Sequence, residues 1–458
     1  MNRQRKEDFV FQATIAFDGV EIEKNLKCRV YLPVKLTDPL EIQFFPTEDQ
    51  AKKLTGYILW QYSLTGEIRS FSDEVIVKFA AKEVIATKGV QASYHGKDVR
   101  EYKMVGNPTD FTITHLLSGH DGDAKSPSEV SFWITPNVLL EPGTILNRSY
   151  TGKVEVETVW QFDLQTSPNT VFHFNQHYHY YDSEEGETAT FSELVADATL
   201  NEPADSPKIF ETLYTLDGVL LLASFAARQR CVCLGWEASD SKMHVKQYVR
   251  NRTIPSNNAR TSYRNALIDK SNFAEFMTTA YSAFDKVTPQ DPLRRAISLV
   301  TPSMDHTAEG EFISLYTALE ILVLQFRRLN SLEFILPNNQ WNKVRKELKT
   351  YISSIALPAD QSDKKVLIQD KLSELNRVSF GTAFEHFCKY YSIDLADLWP
   401  VVNSASGASL SQVRNKLVHG EHFGPNQYEA LMFAGLHLRW TVERMILAVL
   451  GWDAENRM

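Results

Sequence analysis

The chain has 458 residues, 43% of them hydrophobic and 23% charged, with 57 acidic against 48 basic side chains for a formal charge of −9. That length accommodates two to four domains with sizeable cores, and the composition is that of a soluble globular protein. The acidic balance excludes broad, sequence-blind coating of nucleic acid, though not a local basic groove, and no run of about 18 apolar residues marks a membrane span.

The opening "MNRQRKEDFVFQ" lacks the apolar run of a secretory signal. Four cysteines, Cys28, Cys231, Cys233 and Cys388, are too few and too scattered for a disulfide framework, and Cys231-Val-Cys233 lacks the CxxC spacing of redox or zinc sites. We therefore expect a reducing, cytoplasmic environment. From Phe9 to about Thr199, short runs such as "FVFQATIAF", "EIQFF", "SEVSFWIT" and "VEVETVWQFDL" alternate apolar and polar residues. Turn-formers at Asp18-Gly19, Thr65-Gly66, Asn107-Pro108 and Pro142-Gly143 interrupt them. This pattern predicts an antiparallel sandwich or barrel, with binding or sensing as its default role. Within it, "HFNQHYHYYD" places His173, His177 and His179 on one face of a strand and Phe174, Tyr178 and Tyr180 on the other. Histidines two apart on a strand can share a metal, but nearby third and fourth ligands are not obvious, and a solvated polar face explains them as well.

A Pro- and Asp-rich stretch, "TLNEPADSPKIF", closes the β-rich half at about residue 200. The segment from 201 to 270 reads as a mixed α/β connection, with a helix in "FETLYTLDGVLLLASFAAR" and strands in "CVCLGWE" and "HVKQYV". Between Asp240 and Asp269 there is no acidic residue, while Lys242, Lys246, Arg250, Arg252, Arg260 and Arg264 are interleaved with His244, Tyr248 and Tyr263. Cations mixed with stacking rings suit single-stranded RNA, whose phosphates and unstacked bases are both contacted; an ordinary solvated edge has the same composition.

From about Asn272 the period becomes helical, and residues 271 to 458 predict an all-α bundle. In "EFISLYTALEILVLQF", Phe312, Leu315, Tyr316, Leu319, Leu322, Val323 and Phe326 form one apolar stripe. Glu320 falls beside it, placed either to partner Arg414 or to close a buried polar network. Lys343, Arg345, Lys346 and Lys349 read as a solvated helix face. The fold expected is therefore α+β and multidomain: a β-rich sandwich or barrel-like domain over 1–200, a connecting segment over 201–270 and a helical bundle over 271–458.

Near the end of that bundle stands "SQVRNKLVHGEHF" (411–423). Ser409 with Gln412 forms a capping-box pattern, and Gly420 stands where a left-handed residue stops a helix. Leu410, Val413 and Leu417 form its buried stripe, leaving Arg414 at the margin and Asn415 and His419, four apart, on the more exposed side. A bare R-x4-H pair arises by chance about 0.6 times in a chain of this composition. Basic residues at a helix C-terminus are also favoured by the macrodipole, so the trio reads equally as an end cap.

The surroundings narrow the choice. "RNKLVHG" resembles the R-[N/D/H]-x3-H signature of HEPN domains, four- to five-helix bundles that include many RNases. "LYTALEILVL" (315–324) is similar to a helix of that superfamily, and "LRWTVERMILAVLGW" (438–452) to its closing helix. "LNRVSFGTAFEHFCKYYSIDLADLWP" resembles the corresponding part of ApeA-like HEPN proteins, which act in bacterial anti-phage defence and carry a β-rich N-terminal domain. The resemblance spans roughly residues 270–458. It implies a metal-independent endoribonuclease with catalytic residues Arg414, Asn415 and His419, no cofactor, an RNA substrate, a homodimer or higher oligomer, and an activator derived from infection. The alternative is a non-catalytic HEPN scaffold that binds nucleotide or a protein partner. The residue types suit the chemistry. Histidine, whose free side chain titrates at about pH 6.5, can move a proton near neutrality, and arginine presents a planar, permanently charged fork to phosphate oxygens. Asn415 is placed to orient His419 across one helical turn. Residues five apart on a helix point about 140° from each other, so we expect two copies of the motif to face each other across one cleft.

Overall fold

The computed structural model describes residues 8–453 apart from 34–37, 39, 56–60, 70–74, 96–97, 118–126, 149–153, 183–187, 249–265, 288–290, 302–306, 357, 359–362, 403–408 and 422. The chain divides into two compact units, Met1–Thr278 and Thr279–Met458. The first is built on antiparallel strands and the second on helices, so the fold is α+β.

In the first unit, β1 (Asp8–Phe17) and β2 (Val20–Tyr31) form a hairpin whose two-residue turn is Asp18-Gly19. Both turn residues have positive φ, 50° and 77°, which a turn matched to the strands' right-handed twist requires and which Asp-Gly supplies at low cost. Every second residue then points inward: Phe11, Ala13 and Ile15 on β1, Leu26, Cys28 and Val30 on β2, Ile42 and Phe44 on β3 (Glu41–Phe45), all at most 4% exposed. The strand β4 (Gln61–Arg69) pairs with β1 on its other side.

The next strand, β5 (Val75–His95), has 21 residues and two different neighbours along one edge. Its first part pairs with β7 (Asp110–Leu117) and its second with β6 (Asp98–Asn107); the change comes at Glu83, which has a left-handed φ of 48°. Because β6 also pairs with β3, the order β5-β4-β1-β2-β3-β6 returns to β5 and closes a six-stranded barrel. Its core includes Phe11 and Phe79 with ring centroids 4.3 Å apart, together with Phe44, Tyr62 and Met104, and so small a barrel is filled by its own side chains. The helix α1 (Glu48–Thr55) adds Leu54 to this core.

Beyond β7 the same sheet continues. β8 (Ser128–Ile134), β11 (Phe162–Ser167), β12 (Thr170–Asp182) and β13 (Thr188–Leu200) make its far side, while β9 (Gly143–Arg148) and β10 (Val154–Trp160) form a separate hairpin. The seam is made by β14 (Cys233–Ser239), paired with β8, and β15 (Met243–Tyr248), paired with β7. The 201–270 segment, expected to connect two domains, thus supplies two interior strands of one 13-stranded sheet. It also supplies α2 (Lys208–Ala227), the one helix among the described residues long and apolar enough to cross a membrane, with mean hydropathy 1.4 over its best window. That window is 72% buried within the protein, and Ser224 of α2 ties the helix to the following turn by accepting from Cys231 N–H at 2.8 Å. The sequence length of this apolar stretch therefore reflects a core helix. Cys28, Cys231 and Cys233 are buried free thiols, and burial pushes the Cys231 thiol up to about 12, so it stays protonated and unreactive.

The second unit begins within α3 (Lys270–Lys286) and continues with α4 (Asp291–Val300), α5 (Ala308–Leu329), α8 (Phe380–Tyr390), α9 (Leu410–Val418) and α10 (Pro425–Val449). α5 is the hub and packs against α4, α8, α9 and α10. Its predicted stripe is buried throughout, from Phe312 and Leu315 at 0% exposed to Phe326 at 6%. Arg439 of α10 fastens the hub's start: it donates to Val300 O at 3.2 Å and pairs with Glu311 of α5 at 2.6 Å.

Two segments behave differently from the expected bundle core. α6 (Asn338–Ser354) and α7 (Lys364–Lys371) are helical, yet α6 buries only Ile352 and α7 buries nothing. They stand as an excursion between α5 and α8, pinned at its base by the Phe334–Arg377 bridge and by Asn376, which bonds Leu336 through both its amide nitrogen and its oxygen. Period alone marks an amphipathic helix but not what covers it.

One backbone position tests the seam. The register of β14 against β8 slips between Cys233 and Gly235, and a Cβ at Gly235 would collide with Gln247 O of β15 and with the Trp133 ring of β8. Gly235→Ala should cost roughly 1–3 kcal/mol by overpacking and lower the melting temperature by several degrees in a circular dichroism scan. An unchanged melt would mean that the two halves of the sheet are not joined this tightly.

Candidate functional site

α9 is short, and both of its ends are defined by its own residues. Ser409 caps it: the Ser409 side chain accepts from Gln412 N–H at 3.4 Å, and the Gln412 side chain accepts from Ser409 N–H at 3.2 Å, which completes the predicted capping box. Its first turn is docked on the preceding chain, since Leu410 N–H donates to Pro400 O and Ser411 N–H to Val401 O, each at 3.0 Å. At the other end Gly420 adopts φ 77°. Gly420 N–H then reaches Leu417 O at 3.1 Å and Glu421 N–H reaches Lys416 O at 3.0 Å, the paired bonds of a left-handed C-terminal stop.

These backbone bonds bear on the end-cap reading of the motif. Lys416 O and Leu417 O, two of the carbonyls that a basic cap would serve, have backbone donors, and the Arg414 side chain goes elsewhere. Its Nη2 lies 3.3 Å from Glu320 Oε1 on α5, and its Nη1 donates to Asn415 Oδ1 at 3.2 Å. The guanidinium also sits 5.8 Å from the centre of the Tyr316 ring. Tyr316 is in turn fixed through its hydroxyl, 2.8 Å from Ser411 Oγ, and Ser411 Oγ donates to Val401 O at 2.6 Å. Burial pushes the Tyr316 hydroxyl above its ordinary range; the Ser411 bond opposes this, Glu320 adds to it and Arg414 opposes it. The phenol therefore remains neutral. Arg414 is held by one carboxylate, one amide and one aromatic face while a third of its side chain stays accessible. An ion pair this exposed contributes roughly 0–1 kcal/mol, so what it supplies is position.

His419 follows α9 with φ −82° and ψ 5° and is exposed. Its N–H donates to Asn415 O at 3.0 Å, and its ring has no hydrogen-bond partner among the described residues. Asn415 was expected to orient that ring; its side chain instead accepts from Arg414, and only its backbone touches His419. Glu320 takes the first of its two expected roles. Tyr316 and Ser411, the two groups that complete the Arg414 cradle, are not among the site residues expected from the sequence. Tyr316 was read only as part of the apolar stripe, although its place one turn before Glu320 was a usable signal.

The other candidates are scattered. Of the basic series, Lys242 and Lys246 flank or lie on β15 in the first unit, and Arg250, Arg252, Arg260 and Arg264 lie outside the described residues, as does Tyr263. Lys246 is 3.4 Å from Glu237 and His244 is 3.3 Å from the same carboxylate, while Tyr248 is buried against Trp133. The described part of this segment is thus committed to the sheet. His173 and His177 are exposed on β12, with Asp163 at 3.0 Å and Asp197 at 4.0 Å respectively, and Phe174 faces the core as predicted. The His179 side chain is not described. Among the described residues no three His, Cys, Asp or Glu side chains gather as a metal set. Lys343, Lys346 and their neighbours line the exposed α6.

No family model matches the chain, and no curated protein or solved structure matches it either. The site therefore stands on its own geometry.

Stability measurements separate the residues that shape α9 from those it presents. Gly420→Ala places a side chain at positive φ and should cost about 1 kcal/mol, and Ser409→Ala should cost about 0.5–2 kcal/mol by removing the cap. Arg414→Ala and His419→Ala should each stay within about 0.5 kcal/mol of wild type in denaturant unfolding. A large loss at Arg414 or His419 would make them structural.

Proposed function

We propose that the protein is a metal-independent endoribonuclease of the HEPN type, acting in anti-phage defence, with Arg414 and His419 at its reacting centre and the β-rich unit sensing the infection signal. The observation that carries this reading is the cradle just described. A helix stop closed at Lys416 O and Leu417 O by backbone donors presents, within six residues, a guanidinium held by Glu320 and Asn415 yet one-third accessible, and an imidazole with no hydrogen-bond partner among the described residues.

The chemistry follows from those groups. A base takes the 2′-hydroxyl proton of RNA, the 2′-oxygen attacks phosphorus, the bond to the 5′-oxygen breaks, and an acid protonates that oxygen. The products are a 2′,3′-cyclic phosphate and a 5′-hydroxyl. His419 transfers the proton and Arg414 balances the charge on the phosphorane oxygens. Asn415 and Glu320 hold the guanidinium fork, with Tyr316 beneath it.

One motif is not enough, because its two active groups diverge around the helix. A second copy supplies the separate acid and base. α10, which packs against α9, exposes Tyr428, Met432, Phe433, Leu436 and Trp440, each 41–50% accessible and all but Phe433 spaced by four residues. Val418 on α9 is 55% accessible. An apolar row of this kind on the helix beside the motif suits a two-fold interface that brings two motifs together.

Purified protein incubated with total RNA in EDTA should cleave it, and His419→Ala and Arg414→Ala should each reduce the rate by at least ~100-fold while melting like wild type. Absence of cleavage would favour a binding scaffold, and wild-type cleavage by either variant would remove that residue from the reacting centre.

The paired site has its own test. Light scattering should report at least a dimer, Phe433→Glu with Leu436→Glu should yield an inactive monomer, and excess His419→Ala protein should poison wild-type activity through mixed dimers. A fully active monomer excludes the paired site.

A further inference from the structure

The second unit contains a cavity that the Arg414 site does not use. It lies where the last turn of α3, the start of α4, the C-terminal half of α5, the end of α8 and the end of α10 meet, and its volume is about 380 Å3. Ligand pockets usually occupy roughly 300–1,000 Å3, so the space suits a small molecule.

Its walls are unusually aromatic for a gap between helices. Phe326, Phe387, Tyr390 and Tyr391 form one cluster: Phe326 is 5.2 Å from Phe387 and 5.4 Å from Tyr390, and Phe387 is 4.8 Å from Tyr391, measured between ring centroids. Tyr390 is 66% exposed and Leu329, also at the cavity, 58%, so one side is open to solvent. Two polar groups complete the lining. Lys286 is exposed and Gln325 half-buried, and neither side chain has a hydrogen-bond or ion-pair partner among the described residues. Among the described residues no Asp or Glu lines the cavity.

Each feature selects a property of the occupant. Aromatic walls favour a flat ring in offset or edge contact. An ammonium with no ion-pair partner among the described residues favours an anion, and an amide without a partner among them offers both a donor and an acceptor to a polar ring edge. The geometry points to a binding site for a small planar aromatic anion, distinct from the Arg414 cradle and independent of the RNase reading. α5 serves both places, with Tyr316 and Glu320 at one and Phe326 at the other.

The probe is 8-anilinonaphthalene-1-sulfonate, a fluorescent aromatic sulfonate, titrated into the full chain. Saturable binding at one site per chain is expected. Lys286→Met should weaken it at least tenfold, Lys286→Arg should restore most of it, and Leu329→Trp, which fills the open side, should abolish it. Displacement by AMP would assign the natural occupant to nucleotides, and displacement by salicylate to aryl carboxylates. Binding unchanged in both Lys286→Met and Leu329→Trp would place the dye on the exposed apolar row of α10 and overturn the site, as would no saturable binding. The readout is fluorescence, so its failure is separate from any failure to cleave RNA.

Discussion

Burial of one face of α5 is the constraint on which the rest of the helical unit depends. Phe312, Leu315, Leu319, Leu322 and Val323 must leave water, and α4, α8, α9 and α10 are the elements that cover them. Once that face is closed, its margin acquires a fixed environment. Tyr316 and Glu320 lie one turn apart on that margin, and the short α9 brings Arg414 against both. The hydrophobic term supplies the energy and the polar margin supplies the aim, because a half-exposed ion pair is too weak to organise helices by itself. The same helix carries Phe326 near its end, so the aromatic cavity is a second product of how α5 is covered.

The β-rich unit obeys a comparable single constraint, carried by β5. Its length lets it serve two neighbours along one edge, and the left-handed turn at Glu83 lets it leave one and join the other. Without that bend β6 would not return to β5 and the six strands would stay an open sheet with exposed edges. Phe11, Phe44, Phe79 and Tyr62 lie together in the barrel's core.

The two chemistries of the α9 motif illustrate why residue type alone is ambiguous. Arginine and histidine near a helix end can serve a cap or a phosphate, and the fate of the last carbonyls bears on which. Here Gly420 and Glu421 satisfy Leu417 and Lys416 through the backbone, which leaves the charged side chains available for other work. Asn415 shows the converse. Its spacing from His419 suggested an orienting bond, but the closer guanidinium of Arg414 takes its oxygen.

What the residues determined unaided was local. The Asp18-Gly19 turn, the alternation in β1 to β3, the capping box at Ser409, the stop at Gly420 and the apolar stripe of α5 all depend on groups within a few positions of each other, where propensity and periodicity act directly. The pairing of Glu320 with Arg414, 94 residues apart, was one of two open choices for that carboxylate, and the place of Tyr316 beneath the guanidinium was hinted at only by its position one turn before Glu320. Not legible at all were the insertion of β14 and β15 between β8 and β7, the closure through β5, and the exposed course of α6 and α7. Each of these depends on which distant surfaces meet, and a period of two or 3.6 residues specifies which face is apolar without specifying what will cover it. Tertiary packing alone made that choice, by burying the α5 stripe and leaving α7 in water.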